Sequence, residues 1–140
     1  PEFTPGKARV ISEGTDGTFL CYGSIIENAM TAAQQLTAQG LSIGVVNARF
    51  AKPLDTTLIS QLIATGKPIV TCEDHAATGG FGTAVIEAAC QMGLSAANVR
   101  IMGLPDRFIS HASRDEQLIE AGLDAPNLAK TLKEMIANSQ

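Results

Sequence analysis

A chain of 140 residues carries one domain's worth of sequence, and its 45% hydrophobic and 17% charged residues suit a globular domain with a core of its own. A net charge of −4, no Trp and only 4% aromatic residues argue against a general nucleic-acid surface. Apolar runs such as Phe19-Leu20-Cys21-Tyr22 fall far short of the ~20 residues that a membrane span needs.

In chain order, residues 1–6 are expected to be loose or vector-derived, and no secretory leader pattern is visible. Ala8–Ser12 reads as a short strand and Thr18–Tyr22 as a second, buried one. The Asp16-Gly17 turn signal between them reads locally as a hairpin. Ser24-Ile25-Ile26-Glu27 fits a capping box opening a helix whose apolar stripe is Ile25, Ile26, Ala29, Met30, Ala33 and Leu36. Ser42–Asn47 is the third strand. Asp55 caps a helix that buries Leu58, Ile59, Leu62 and Ile63.

The stretch from Pro68 to Ala88 organises the rest. A β-branched run, Ile69-Val70-Thr71, passes into Glu73-Asp74-His75, then Gly79-Gly80-Phe81-Gly82, then a helix presenting Val85, Ala88, Ala89 and Met92. Strand, polar loop, glycine turn and helix together form the layout by which open α/β sheets place sites at strand carboxyl ends. No Gly-Lys-Ser/Thr follows the glycines, and the third glycine of a dinucleotide fingerprint is missing. Asn98–Gly103 is a fifth strand. Ser113-Arg114-Asp115-Glu116 repeats the capping-box pattern, and Asp124 caps a last helix with Leu128, Leu132, Met135 and Ile136 inward. Gly40, Gly66, Gly93 and Gly122 each follow a helical pattern as stop signals. This alternation predicts parallel neighbours, right-handed crossovers and helices on both faces of one sheet.

Few residues are arranged for chemistry. His75 and His111 have no partners at metal-ligand spacing. Cys21, Cys72 and Cys90 form no Cys-x-x-Cys pair and read as reduced thiols in a reducing compartment. Gly-x-Ser-x-Gly is absent, so no nucleophile elbow supports a serine hydrolase. Arg49 and Lys52, before Pro53, read either as anion ligands near a helix start or as a packed arginine and a solvated lysine. Asp106, Arg107 and Phe108, with Arg114-Asp115 beyond, read as an interface patch of arginine beside aromatic and aliphatic anchors, or as exposed ion pairs.

Three segments taken together are more specific: Asn47-Ala48-Arg49-Phe50-Ala51-Lys52-Pro53-Leu54-Asp55; Glu73-Asp74-His75-Ala76-Ala77-Thr78-Gly79-Gly80-Phe81-Gly82; and Gly103-Leu104-Pro105-Asp106-Arg107-Phe108-Ile109, leading to Asp115-Glu116-Gln117. The set resembles the carboxy-terminal domains of 1-deoxy-D-xylulose-5-phosphate synthases, thiamine diphosphate-dependent enzymes of the transketolase family. The likeness runs from about Gly6 to Ile136, and the Pro-Asp-Arg-Phe-Ile segment separates it from ordinary transketolases and from the β subunits of 2-oxo acid dehydrogenases.

The resemblance implies a single three-layer α/β/α domain over residues 1–140, with a mostly parallel five-stranded sheet. It places the first strand antiparallel at one edge beside the third, and the second beside the fourth, so the hairpin pairing gives way. It implies a parent transferase that joins pyruvate, with decarboxylation, to glyceraldehyde 3-phosphate for isoprenoid precursor synthesis. Thiamine diphosphate and magnesium would belong to two preceding catalytic domains. The Gly-Asp-Gly cofactor motif does not occur here, so no catalytic, cofactor or metal residue is carried over and the segment alone is expected to be inactive. The family pattern has Glu-Glu where this chain has Glu73-Asp74.

Glu73, Asp74, His75, Phe81, Asp106, Arg107 and Phe108 are the candidate face bracing the preceding domains and a homodimer, in the cytoplasm or, in a plant, the plastid stroma. The other readings are an effector-binding regulatory domain with its ligand in the switch-point crevice, the equivalent domain of another transketolase-type enzyme, and a stand-alone enzyme.

Overall fold

The computed structural model describes residues 4–76, 79–105 and 113–139, with His75 and Ala76 described by their backbone alone. The elements are β1 (Arg9–Ser12), β2 (Gly17–Tyr22), α1 (Ile26–Thr37), β3 (Ile43–Asn47), α2 (Thr56–Ala64), β4 (Ile69–Ala76), α3 (Phe81–Gln91), β5 (Val99–Leu104), α4 (Arg114–Ala121) and α5 (Ala125–Asn138). Five strands form one sheet in the order β1-β3-β2-β4-β5, parallel except for β1. The order and the antiparallel edge strand are those the resemblance implied.

The Asp16-Gly17 signal does not close a hairpin. β1 pairs with β3, with Arg9 opposite Asn47 and Val10 opposite Val46, and the chain then crosses to the other side of β3. Asp16 serves that crossing: its Oδ2 accepts from the Ser42 amide at 2.7 Å, and its own amide donates to the Ser42 carbonyl at 2.9 Å. The crossing backbone runs so close to β3 that a Cβ on Gly14 would stand 2.1 Å from the Gly44 nitrogen. Only glycine fits there.

Period-two alternation divides the strands between two cores. Phe19, Cys21, Val45, Val70 and Cys72 face α1, α4 and α5, whereas Leu20, Val46 and Ile69 face α2 and α3. This is the three-layer arrangement. The predicted stripes face the two cores, with Ile26, Leu58, Leu62 and Met135 only partly buried at their margins and two residues more exposed still. Met30 and Met92 are each 38% exposed, because Met30 lies at the rim of α1 and Met92 lies just past the end of α3. The four stop glycines all take left-handed φ, from 72° to 89°. Among the described residues no helix is long and apolar enough to cross a membrane.

The parallel topology sends α1 and α3 away from β2 and β4, whose carboxyl ends lie side by side, with Tyr22 opposite Glu73. The polar residues of β4 therefore emerge at the switch point of the sheet, where open α/β folds place their ligand crevice.

Candidate functional site at the carboxyl end of β4

β4 leaves regular pairing as it reaches this end. Its register against β5 slips between Cys72, opposite Met102, and Ala76, opposite Leu104. A bulge of this kind re-aims side chains beside a site. Glu73 and Asp74 point to opposite faces of the sheet and do different work.

Glu73 turns beneath α3 and is fully buried. Its Oε1 accepts from the Phe81 amide at 2.9 Å and its Oε2 from the Gly82 amide at 2.7 Å. These are the first two amides of α3, which have no acceptor inside the helix. The helix dipole adds positive charge at that end, so a buried carboxylate is satisfied there by two charge-assisted bonds. Gly80, the residue at the cap position, has no side chain for this work. Phe81 closes the cover: it is 3% exposed and its ring stacks on Tyr22, with centroids 5.3 Å apart.

Asp74 faces the other layer. Its Oδ2 accepts from Ser24 Oγ at 2.8 Å and from Arg114 Nη2 at 2.8 Å, and Arg114 Nη2 also donates to Ser24 Oγ at 2.7 Å. The three residues tie the start of α1, the end of β4 and the start of α4 into one cluster. This corrects the reading of Ser24 as a helix cap. The α1 cap position is Ile25, whose hydrocarbon side chain can accept nothing, and the Ser24 hydroxyl before it donates to Asp74. By contrast, Asp55 caps α2 through Leu58, and the Ser113–Glu116 capping box forms in full. Asp124 stands at the cap position of α5 but caps no backbone amide, because its Oδ1 accepts from Asn127 Nδ2 at 2.6 Å instead.

Of the predicted face, Glu73, Asp74 and Phe81 are brought to the same end of the sheet, although Glu73 and Phe81 are interior to the chain itself. The backbone of His75 lies in β4. Its side chain, and Asp106, Arg107 and Phe108, lie outside the described residues. Ser24 reads in the sequence as a helix cap near the switch point and Arg114 as part of the interface patch, but nothing local joins either to Asp74. They stand 50 and 40 residues from Asp74 in sequence, and only the sheet order brings them together. Arg49 lies at the end of β3 in left-handed backbone, φ 63°, with its amide donating to Asn47 Oδ1 at 3.0 Å. A groove of about 910 Å³ runs elsewhere, between β1 and α1, over Met30, Ile43 and Val45, and no catalytic grouping lines it.

Comparison with known proteins matches this architecture. The family model described as transketolase, C-terminal domain, covers residues 6–128. The chain belongs to the transketolase C-terminal domain family. Within the family it is similar to 1-deoxy-D-xylulose-5-phosphate synthase of Rhodopirellula baltica, at 42% identity over 92% of this chain and 20% of that one. The synthase of Geobacillus thermodenitrificans is 40% identical over 99% of this chain and 22% of that one. The chain thus spans about one-fifth of the length of these relatives.

Among solved structures, a split-gene transketolase described as an inactive β4 tetramer superposes with a TM-score of 0.88 at 28% identity, over all of this chain and 45% of that one. A transketolase R525L variant from Pichia stipitis, at 18% identity and a TM-score of 0.66 over 94% of this chain and 18% of that one, shares the fold.

Proposed function

We propose that this transketolase C-terminal domain is the carboxy-terminal part of a 1-deoxy-D-xylulose-5-phosphate synthase. There it braces the catalytic domains and the homodimer and takes no part in bond-making. The observation that carries the reading is the run of 1-deoxy-D-xylulose-5-phosphate synthases aligned along 92–99% of the chain at 38–42% identity. The whole enzyme would join pyruvate, with loss of carbon dioxide, to glyceraldehyde 3-phosphate in the cytoplasm. Thiamine diphosphate would supply the carbanion chemistry from another part of that polypeptide.

The residues of this domain do not fit that cofactor. A diphosphate seeks helix amino termini and cations, but the α3 amino terminus is taken by Glu73 and Arg114 is engaged by Asp74. Among the described residues no group of three or more His, Cys, Asp or Glu is placed to hold a metal ion. The filled α3 terminus also favours bracing over effector binding, because the acceptor-seeking amides of the switch point are already satisfied.

In the bracing reading, Asp74, Ser24 and Arg114 hold three elements in fixed relation. The end of the sheet that carries Asp74 is thereby held in one shape for contact with the other domains, and His75, Asp106, Arg107 and Phe108 are the residues proposed to make that contact. The test compares the whole synthase with a form lacking these 140 residues and with the 140-residue chain alone. The expected result is turnover by the whole enzyme only, with loss of subunit association in the shortened form and in Phe108→Ala of the whole enzyme. Turnover by the chain alone, or full activity and association without it, overturns the reading.

A further inference from the structure

The Glu73 carboxylate sits as a bound ligand would sit. It comes from the sheet, eight and nine residues upstream of the amides it meets, and each oxygen takes one amide at the α3 amino terminus. A second group points to the same place. Thr71 lies two residues earlier on the same face of β4, is fully buried, and its Oγ1 has no hydrogen-bond partner. That hydroxyl lies under Gly82, where a Cβ would come within 2.5 Å of it. Buried polar groups are normally paired, so an orphan hydroxyl beside two satisfied amides marks a polar chamber built around a carboxylate.

We propose that this chamber is the anion site of an open α/β sheet, kept permanently filled by the chain's own Glu73, which acts as a resident pseudo-ligand. The native chain is closed at this point to outside anions. Removing the side chain opens a site for a small carboxylate. The class follows from the geometry: two amides aligned on two oxygens match a planar carboxylate, and the buried space is what a glutamate side chain vacates. Glu73→Ala removes one methylene and the carboxylate, which is the size of acetate. Helix amino termini also take tetrahedral oxyanions, but phosphate has one heavy atom more than the group removed and would bring further oxygens into buried space without donors.

The test is thermal unfolding of the 140-residue chain in sodium acetate against sodium chloride and sodium phosphate at matched ionic strength. It reads the folding of this chain and stands whether or not the assembly role holds. The native chain sets the general effect of each salt, since excluded salts such as phosphate stabilise any fold somewhat, and the variant is read against that baseline. Glu73→Ala should melt lower by about 10 °C, since two charge-assisted bonds are lost, and should regain several degrees saturably in acetate alone. Glu73→Gln, which still fills the space, should show no such recovery. Where Glu73→Ala does not fold in chloride, refolding from urea should succeed in acetate and fail in chloride. Equal behaviour of Glu73→Ala in acetate and chloride, by melting or by refolding, overturns the proposal. So does acetate stabilisation of the native chain as large as that of the variant.

Discussion

Ser24 Oγ donates to Asp74 Oδ2 across 2.8 Å, joining the start of α1 to the end of β4, and Arg114 closes the triangle from α4. The members are not equal. The Arg114 side chain is 57% exposed and that of Asp74 13%. Water and salt screen the ion pair from the arginine side, so Arg114→Ala should cost no more than about 1 kcal/mol. Asp74→Ala leaves both donors without their acceptor and should cost about 2 kcal/mol. Urea denaturation of the two variants measures the difference, and equal losses would show that the Ser24–Asp74 bond adds nothing beyond the ion pair.

Local signals in the sequence lead to elements, and long-range ones do not. Asp55 and Ser113 cap the helices they precede, and Gly40, Gly66, Gly93 and Gly122 end helices, because each acts within a turn of its own position. Asp16-Gly17 misleads because a turn signal says where the chain bends and not which strand it joins. The partner of Asp16 is Ser42, beyond a whole helix. Ser24 carries a cap pattern, but its hydroxyl has a stronger acceptor 50 residues away. Glu73 reads in the sequence as part of a polar loop beside Asp74 and His75. Its burial comes from α3 folding back over β4, and the glycines that permit this approach were the only local hint.

Gly82 illustrates how tight that approach is. A Cβ there would lie 2.5 Å from Thr71 Oγ1 and 2.8 Å from two carbons of Ile101. Gly82→Ala removes no hydrogen bond and should favour the helix by propensity, yet the overlap should dominate and destabilise by about 1–3 kcal/mol. Thr71→Val keeps the shape and deletes the unpartnered hydroxyl, so it should be neutral or slightly stabilising. Guanidinium unfolding of both tests the packing; a stable Gly82→Ala would mean that the helix lifts away freely.

The two side-chain caps differ in reach. Ser113 satisfies the Glu116 amide at 3.3 Å and, among the described residues, nothing distant, so Ser113→Ala should cost about 1 kcal/mol. Asp55 accepts from Leu58 through Oδ1 at 3.1 Å and from the Ala8 amide through Oδ2 at 2.9 Å, tying the segment before β1 to α2. Asp55→Ala should cost about 2 kcal/mol and also speed amide hydrogen exchange at Ala8. Unchanged exchange at Ala8 would separate the cap from the tie.

Cys21 and Cys72 are direct neighbours across β2 and β4, both fully buried and both free thiols. Burial pushes the Cys72 thiol well above its ordinary range, and the hydrogen bond and charge of Cys21 and the charge of Glu73 push the same way. The folded chain therefore holds this proton after the unfolded chain has begun to release it near pH ~8.5. The resulting stability is fully present below that pH and is lost as pH rises toward the folded value, at no more than about 1.4 kcal/mol per pH unit. Cys72→Ala should be less stable at pH 7 through the lost packing, but its stability should fall less steeply between about pH 8.5 and 10.5. Other groups titrate in that window in both proteins, so the difference in slope isolates Cys72. Exposed Cys90 should meanwhile react first with a thiol reagent, and Cys72 only as the chain unfolds. Parallel pH profiles for the native chain and Cys72→Ala would show that the thiol ionises as readily folded as unfolded.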